Sequence, residues 1–367
     1  MRMLCFLDPL KRVRRRLAGA VSTAGVALLL GCCSVQYAQR RDLRLKEEAM
    51  IECCEAIRRH LRAWERPPDS ALEPLLAQYA EHFGFPTERV SHTMGTVRVG
   101  DLDVAVQRFA PKQTSRGTVV LVHGYLDHAG VHARFVRRYA ARGCTVVAYD
   151  MPGHGLSGGE RAAVDSFHTY ANALGTVLRE VCTNAPRPLH IVAHSTGCSA
   201  VLEHLHRNQS AERPSSTDGV VLVAPLVYSW GTGPSKLGNA LARPFVKRVP
   251  RIQKRVSHDP GFMRFVKHGN PLRIHSVPLA WFDALQEWQS EVEQWSPLSG
   301  TSVVVLQGTH DKVVSWRRNL KVLKRITPNA TVHTVEGGFH QLLNEDAEHR
   351  RPVYEVLDRV LLGPADR

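Results

Sequence analysis

No segment of the 367-residue chain repeats at a fixed period, and no long tract is of low complexity. A solenoid or a mainly disordered chain is therefore excluded. The eight cysteines and 19 histidines fall in no spacing that suits a zinc site, and no metal or cofactor is expected. Long apolar runs are also lacking. The apolar stretch nearest the start, LAGAVSTAGVALLL (Leu17–Leu30), is too short for an ordinary membrane span. Acidic residues are few beside basic ones, 34 against 48, for a formal net charge of +14. That balance favours anionic neighbours: phospholipid, lipopolysaccharide or nucleic acid. What is present, 43% hydrophobic and 22% charged residues, is ample for a large core in one big domain or two smaller ones.

The first segment stands apart from the fold. Lys11, Arg12, Arg14, Arg15 and Arg16 precede the apolar run, and Gly31, Cys32 and Cys33 follow it. This is the shape of a secretory signal peptide; an uncleaved anchor helix is the alternative. The ending Leu29-Leu30-Gly31-Cys32 resembles the lipobox of bacterial lipoproteins. The resemblance implies loss of Met1–Gly31 and acyl chains on Cys32, each buried CH₂ worth about 0.8 kcal/mol of anchoring. Cys33, where an Asp would retain the protein at the inner membrane, implies a cell-envelope site at the outer membrane, facing the periplasm. The chain without its leader keeps about +9. Export sets nucleic acid aside as a partner and leaves the membrane, reached through Cys32. Cys33, Cys53, Cys54, Cys144, Cys182 and Cys198 then remain. An oxidising compartment permits a disulfide among them, and free thiols are equally open.

Ser34–Tyr79 has apolar residues at helical spacing and a break at Pro67-Pro68, as expected of a stalk and a packing helix. Thr93–Ala110 alternates apolar and polar residues, an antiparallel hairpin turning at Gly100-Asp101. Continuous β-branched runs then alternate with helical stretches: Thr118–Val122, Thr145–Tyr149, Leu189–Ala193, Val220–Val223, Ser302–Leu306 and Thr331–Val335. That pattern predicts an α/β fold, a mostly parallel central sheet with helices on both faces, whose chemistry gathers at the strands' carboxyl ends. Between Tyr228 and Pro297 the alternation stops in a basic, Trp-bearing segment of helical character, read as a cap over the strand ends. The expected division is 1–31 leader, 32–92 stalk and helical segment, 93–227 core, 228–297 cap and 298–367 core.

Each run ends in residues suited to chemistry. In IVAHSTGCSA, Ser195 follows a buried strand and opens a helix, with Ala193 and Gly197 two positions either side. Small residues are needed there because the turn brings strand and helix backbones together. Taken alone, Ser195 reads first as a helix N-cap. After the run ending at Val122, Gly124 lets the loop turn, so that the Tyr125 amide pairs with that of Thr196 as donors for an oxyanion. Asp311, in GTHD, is placed to orient an imidazole. His340, after a glycine pair, is placed to serve as general base. Asp and His in isolation are ordinary loop residues. Ser195, Asp311 and His340 in that order, each just past a strand, are not. The glycine-dense stretch Asp150–Gly159 lacks the lysine of a phosphate loop and reads as a structural turn.

The set VHGYLDH, YDMPGHGLSGG, VAHSTG, QGTHDKVV and GGFHQLLNE resembles the α/β-hydrolase superfamily, in its monoacylglycerol lipase and lysophospholipase branch. The insertion HDPGFMRFVKHGNPLRIHSVPLAWFDALQEW is similar to that branch's cap. The resemblance spans about Thr93 to Leu362. It implies Ser195 as nucleophile, Asp311 as acid, His340 as base, and the Tyr125 and Thr196 amides as oxyanion hole. The departure is Ala193, where the branch has the first glycine of the elbow. The reading that follows is a membrane-anchored serine hydrolase acting on esters of single-chain lipids, a monoacylglycerol or a lysophospholipid. The alternatives are a serine aminopeptidase, which wants acidic groups in the cap, and a non-catalytic envelope binding protein.

Overall fold

The computed structural model describes residues 45–209, 217–230, 246–298 and 300–363. The leader and Cys32 lie outside them, as does Cys33. The chain divides into two compact units, residues 1–49, of which 45–49 are described, and Met50–Arg367. A helix runs over 45–60 (α1), and the second helix is Leu72–Phe83 (α2). The break between them covers Pro67-Pro68 but begins earlier, and α2 ends at a left-handed Gly84.

An antiparallel hairpin follows, β1 (Val90–Val99) and β2 (Leu102–Pro111), turning at Gly100-Asp101 as the alternation predicts. The parallel strands are β3 (Thr118–Val122), β4 (Thr145–Tyr149), β5 (Leu189–His194), β6 (Gly219–Val223), and later β9 (Val303–Gly308) and β10 (Thr331–Val335). The sheet order is β1-β2-β4-β3-β5-β6-β9-β10, with only the hairpin strands antiparallel to their neighbours. Helices α3 (Ala133–Ala141), α4 (Phe167–Glu180), α5 (Thr196–Arg207), α8 (Trp316–Ile326) and α9 (Ala347–Leu362) join or flank them.

Every residue of β3, β4, β5 and β6 is buried, because helices cover both faces. Alternate side chains feed two cores. Val120, Val122, Ile191 and Ala193 enter one, while Val119, Leu121 and Val192 enter the other. The strand order reverses at β3, which pairs with β4 on one side and β5 on the other. At such a switch point the loops after β3 and β5 diverge to opposite faces and leave a crevice between them.

Between β6 and β9 the described residues hold α6 (Pro260–Arg264), a π-helical turn (Phe265–Gly269) and the long α7 (Leu279–Gln294). They also hold a small antiparallel pair, β7 (Arg248–Pro250) with β8 (Ser276–Pro278), which the helical reading of this segment did not include. Each strand has three residues and the pair adds nothing to the central sheet, so the long buried run that marks core strands is missing there.

Candidate active site

β5 enters α5 through one residue, Ser195, whose φ of 52° and ψ of −115° no β-strand or helix uses. Such strain in a non-glycine residue persists only where the surroundings hold it. Here the Ser195 amide donates to the Val223 carbonyl of β6 at 2.9 Å, and the Ser195 carbonyl accepts from the Cys198 and Leu226 amides. The side chain does not cap α5. Its Oγ lies 3.0 Å from His340 Nε2. The helix-cap reading of Ser195 is thereby set aside by geometry.

The small residues have measurable reasons. A Cβ on Gly197 would stand 2.5 Å from the Val122 carbonyl oxygen and 2.6 Å from that of His123, so α5 rests directly on the end of β3. A Cβ on Gly124 would stand 3.0 Å from the Ser195 Cβ and 2.8 Å from His194 Nδ1. Ala193 is different. It is fully buried in β5 in register with Val122 and Leu222, and its methyl is part of a packed core. Nothing there requires glycine.

His340 Nδ1 lies 2.7 Å from Asp311 Oδ2. The other oxygen, Oδ1, accepts from the Val313 and Val314 amides at 2.7 and 3.1 Å, which fixes the carboxylate's plane. Burial pushes the Asp311 carboxyl up, but the charge and hydrogen bond of His340 and those two amides outweigh it and hold it below its ordinary value. All three side chains are buried. The chain order Ser, Asp, His thus becomes a continuous Oγ–imidazole–carboxylate line from three strand ends.

Tyr125 and Thr196 both border the same cavity as Ser195 and His340. Tyr125 is clamped: its ring stacks on Trp281 of α7 at 3.8 Å, and its hydroxyl donates to the Ala162 carbonyl. His123 ties the loop below. Its Nδ1 donates to the Gly124 carbonyl at 2.7 Å, and its Nε2 accepts from the Met151 amide at 2.8 Å. The glycine-dense turn is structural, as read. The Asp150 carboxylate accepts from the Ala129 and Leu156 amides, and a Cβ on Gly155 would overlap it at 2.0 Å.

Motif reading gave no role to Asp127, His194 and Trp281. The His194 ring is buried beside the elbow with Nε2 donating to the His340 carbonyl at 3.1 Å. Burial, then the neighbouring imidazoles of His340 and His132, hold it low, at about 3. Asp127 accepts from Gln341 Nε2 at 2.7 Å. Only the placement of Asp and His beside the motif residues hinted at these partners. The cavity over Ser195 measures about 270 Å³. Its walls are mainly apolar, among them Leu226, Phe262, Val277, Trp281 and Val313, and its lining also includes Arg251 and Lys254. The five described cysteines, Cys53, Cys54, Cys144, Cys182 and Cys198, are free and buried, and burial pushes each thiol up.

The model of the Hydrolase_4 family (serine aminopeptidase, S33) matches residues 113–347. This chain belongs to that family. Among curated members, the human monoglyceride lipase is 31% identical over 257 residues, 68% of this chain and 83% of that protein. The monoacylglycerol lipase of Mycolicibacterium smegmatis is 25% identical over 255 residues, 67% of this chain and 89% of that protein. A soluble variant of the monoglyceride lipase of Saccharomyces cerevisiae, solved with a substrate analogue, shares the fold. Its TM-score is 0.62 at 14% identity, over 75% of this chain and 97% of that one. The family member described here is thus an α/β hydrolase of the monoacylglycerol lipase-like branch, a hydrolase of lipase or esterase type.

Proposed function

We propose that this hydrolase cleaves the carboxylic ester of a single-chain lipid, a monoacylglycerol or lysophospholipid, through Ser195, His340 and Asp311. The observation that carries this is the hydrogen-bonded line from Ser195 Oγ to Asp311, opening onto an apolar-walled cavity. Ser195 Oγ gives its proton to His340 Nε2 as it attacks the ester carbonyl. The oxygen that becomes negative lies between the Tyr125 and Thr196 amides, each such donor worth about 3 kcal/mol in the transition state. His340 returns the proton to the departing alcohol, and an acyl-Ser195 ester remains. Water, deprotonated by the same imidazole, then attacks it and releases the fatty acid. Asp311, ionised and locked by two amides, holds the imidazole tautomer and offsets its charge.

The apolar walls suit an acyl chain, and Arg251 and Lys254 suit a polar or anionic head. Beside them Ile252 is 81% exposed, an apolar tip among basic residues that fits a lipid interface. The lipobox-like sequence supports anchoring through Cys32 at the envelope. No helix of the described residues is long and apolar enough to cross a membrane. A peptidase acting on free N-termini needs a carboxylate for the substrate amine. The carboxylate in the cavity's lining, Asp127, is only 6% exposed and lies against the buried rings of His132 and His194.

The test is labelling by a fluorophosphonate probe followed by lipid mass spectrometry. Wild type should label and deplete specific single-chain lipids, and Ser195→Ala should do neither. A labelled Ser195→Ala, or a wild type that prefers an aminoacyl amide to a monoacylglycerol, overturns the reading.

A further inference from the structure

Behind the elbow lies a second cluster that ester hydrolysis does not use. Asp127 comes from the loop after β3, His132 from the 3₁₀ turn (Ala129–His132) that precedes α3, and His194 from the last position of β5. Asp127, His132 and His194 are all buried, His132 and His194 at 0% exposure. His132 Nε2 stands 3.7 Å and His194 Nδ1 3.8 Å from the same Asp127 oxygen, Oδ2. Both separations exceed hydrogen-bond length. Neither ring nitrogen of His132 has a hydrogen-bond partner, nor does His194 Nδ1.

The tautomer of His194 sharpens this. Its Nε2 faces the His340 carbonyl, which only accepts, so Nε2 carries the proton. On the neutral ring Nδ1 then bears a bare lone pair, aimed at a carboxylate oxygen. Protonating His132 would satisfy one side and leave its Nδ1–H buried without an acceptor. Such unpaired groups are costly in a protein interior. One cation among the three atoms takes the lone pairs of His132 Nε2, His194 Nδ1 and Asp127 Oδ2 together, and leaves only the His132 Nδ1–H unpaired.

We propose that Asp127, His132 and His194 form a site for one divalent metal ion of the zinc type, set directly behind the Ser195 elbow. Two imidazoles and one carboxylate are the donor set that such ions take, with a further position left to solvent. The three donor atoms lie within 4.8 Å of one another. Zinc bonds of about 2.0–2.1 Å require roughly 3.3 Å between donors, so the cradle closes by side-chain movements of under about 1.5 Å. The partners around it fit as well. The His194 N–H goes to a carbonyl, an outer contact that orients a metal ligand, and Gln341 donates to the same Asp127 Oδ2, whose second lone pair is left for the ion. Asp127 and His194 border the cavity, which gives the ion its entry. No local sequence spacing announces the site, because its ligands come from one loop and a distant strand end.

Full-length protein, freed of metal by chelator, is titrated with Co²⁺ and then Zn²⁺. One equivalent of Co²⁺ should bind with the visible absorption of a four-coordinate N/O site, be displaced by Zn²⁺, and raise the melting temperature by at least about 5 °C at saturation. In His132→Phe the absorption and the metal-dependent shift should vanish. The metal-free melting temperature of that variant should hold or rise, since the orphaned nitrogens are gone. His132→Gln serves if the phenylalanine does not fold, and should weaken binding at least tenfold. No stoichiometric binding by wild type overturns the proposal. So does binding that survives both variants, or a sulfur-to-cobalt band in the near ultraviolet, which places the ion on a cysteine.

Discussion

Gly197→Ala tests the elbow most directly. The added methyl carbon meets the Val122 and His123 carbonyl oxygens at 2.5 and 2.6 Å. Both are backbone atoms at the end of β3, so no rotamer change relieves the contact. Helix α5 must retreat by roughly 0.5–1 Å, and such overpacking costs about 1–3 kcal/mol. The retreat carries Ser195 and the Thr196 amide with it, away from His340 and from the Tyr125 loop. A misplacement of about 1 Å at reacting groups is worth on the order of 100-fold in rate. The expected outcome is a fall in kcat on a p-nitrophenyl ester of roughly 10- to 100-fold, slower fluorophosphonate labelling, and a melting temperature lower by several degrees. Ala193→Gly is the matched control. It removes a buried methyl and adds chain freedom at a cost of about 0.5–1 kcal/mol, and should keep activity. A Gly197→Ala protein with wild-type kcat and melting temperature refutes the argument that close backbone approach sets the nucleophile.

Asp311→Asn should keep the fold and lower kcat on the order of 10⁴-fold, because the amide cannot hold the His340 tautomer that accepts the Ser195 proton; unchanged kcat in steady-state assay would contradict the assignment. Stability should fall with acidity: burial foremost holds His92 and His123 at about 4 and His154 and His194 at about 3, against about 6.5 unfolded. The unfolded chain takes up the protons, so the stability of these neutral rings is complete above about pH 6.5 and is lost as pH falls towards 4 and 3, at up to about 1.4 kcal/mol per unit for each ring. Asp311, whose folded value is depressed, adds to the loss at still lower pH. Melting temperatures from pH 7 to 4.5 check this, and a flat profile contradicts it. Cys32→Ser should abolish metabolic labelling by fatty acid and release the protein from envelope membranes; retention there points to an uncleaved anchor.

The sequence alone determined the sheet and the residues to which the proposed chemistry is given. Runs such as Thr118–Val122 and Thr145–Tyr149 are continuous in β-branched and apolar residues, the pattern of a strand covered on both faces. The order of Ser195, Asp311 and His340 just past such runs was legible for the same reason, since strand ends on one edge of a parallel sheet come together. The β7–β8 pair was not legible, because strands of three residues are too short to carry a periodic signal. Tertiary structure decided the rest. Whether Ser195 caps α5 or faces His340 depends on a single φ and ψ, fixed by hydrogen bonds to β6 and the loop after it. That alanine suffices at 193 while glycine is required at 197 follows from which backbone lies opposite each. Asp127 and His132 share the connection after β3, but His194 ends β5 far along the chain, and only the pairing of β3 with β5 brings it beside them.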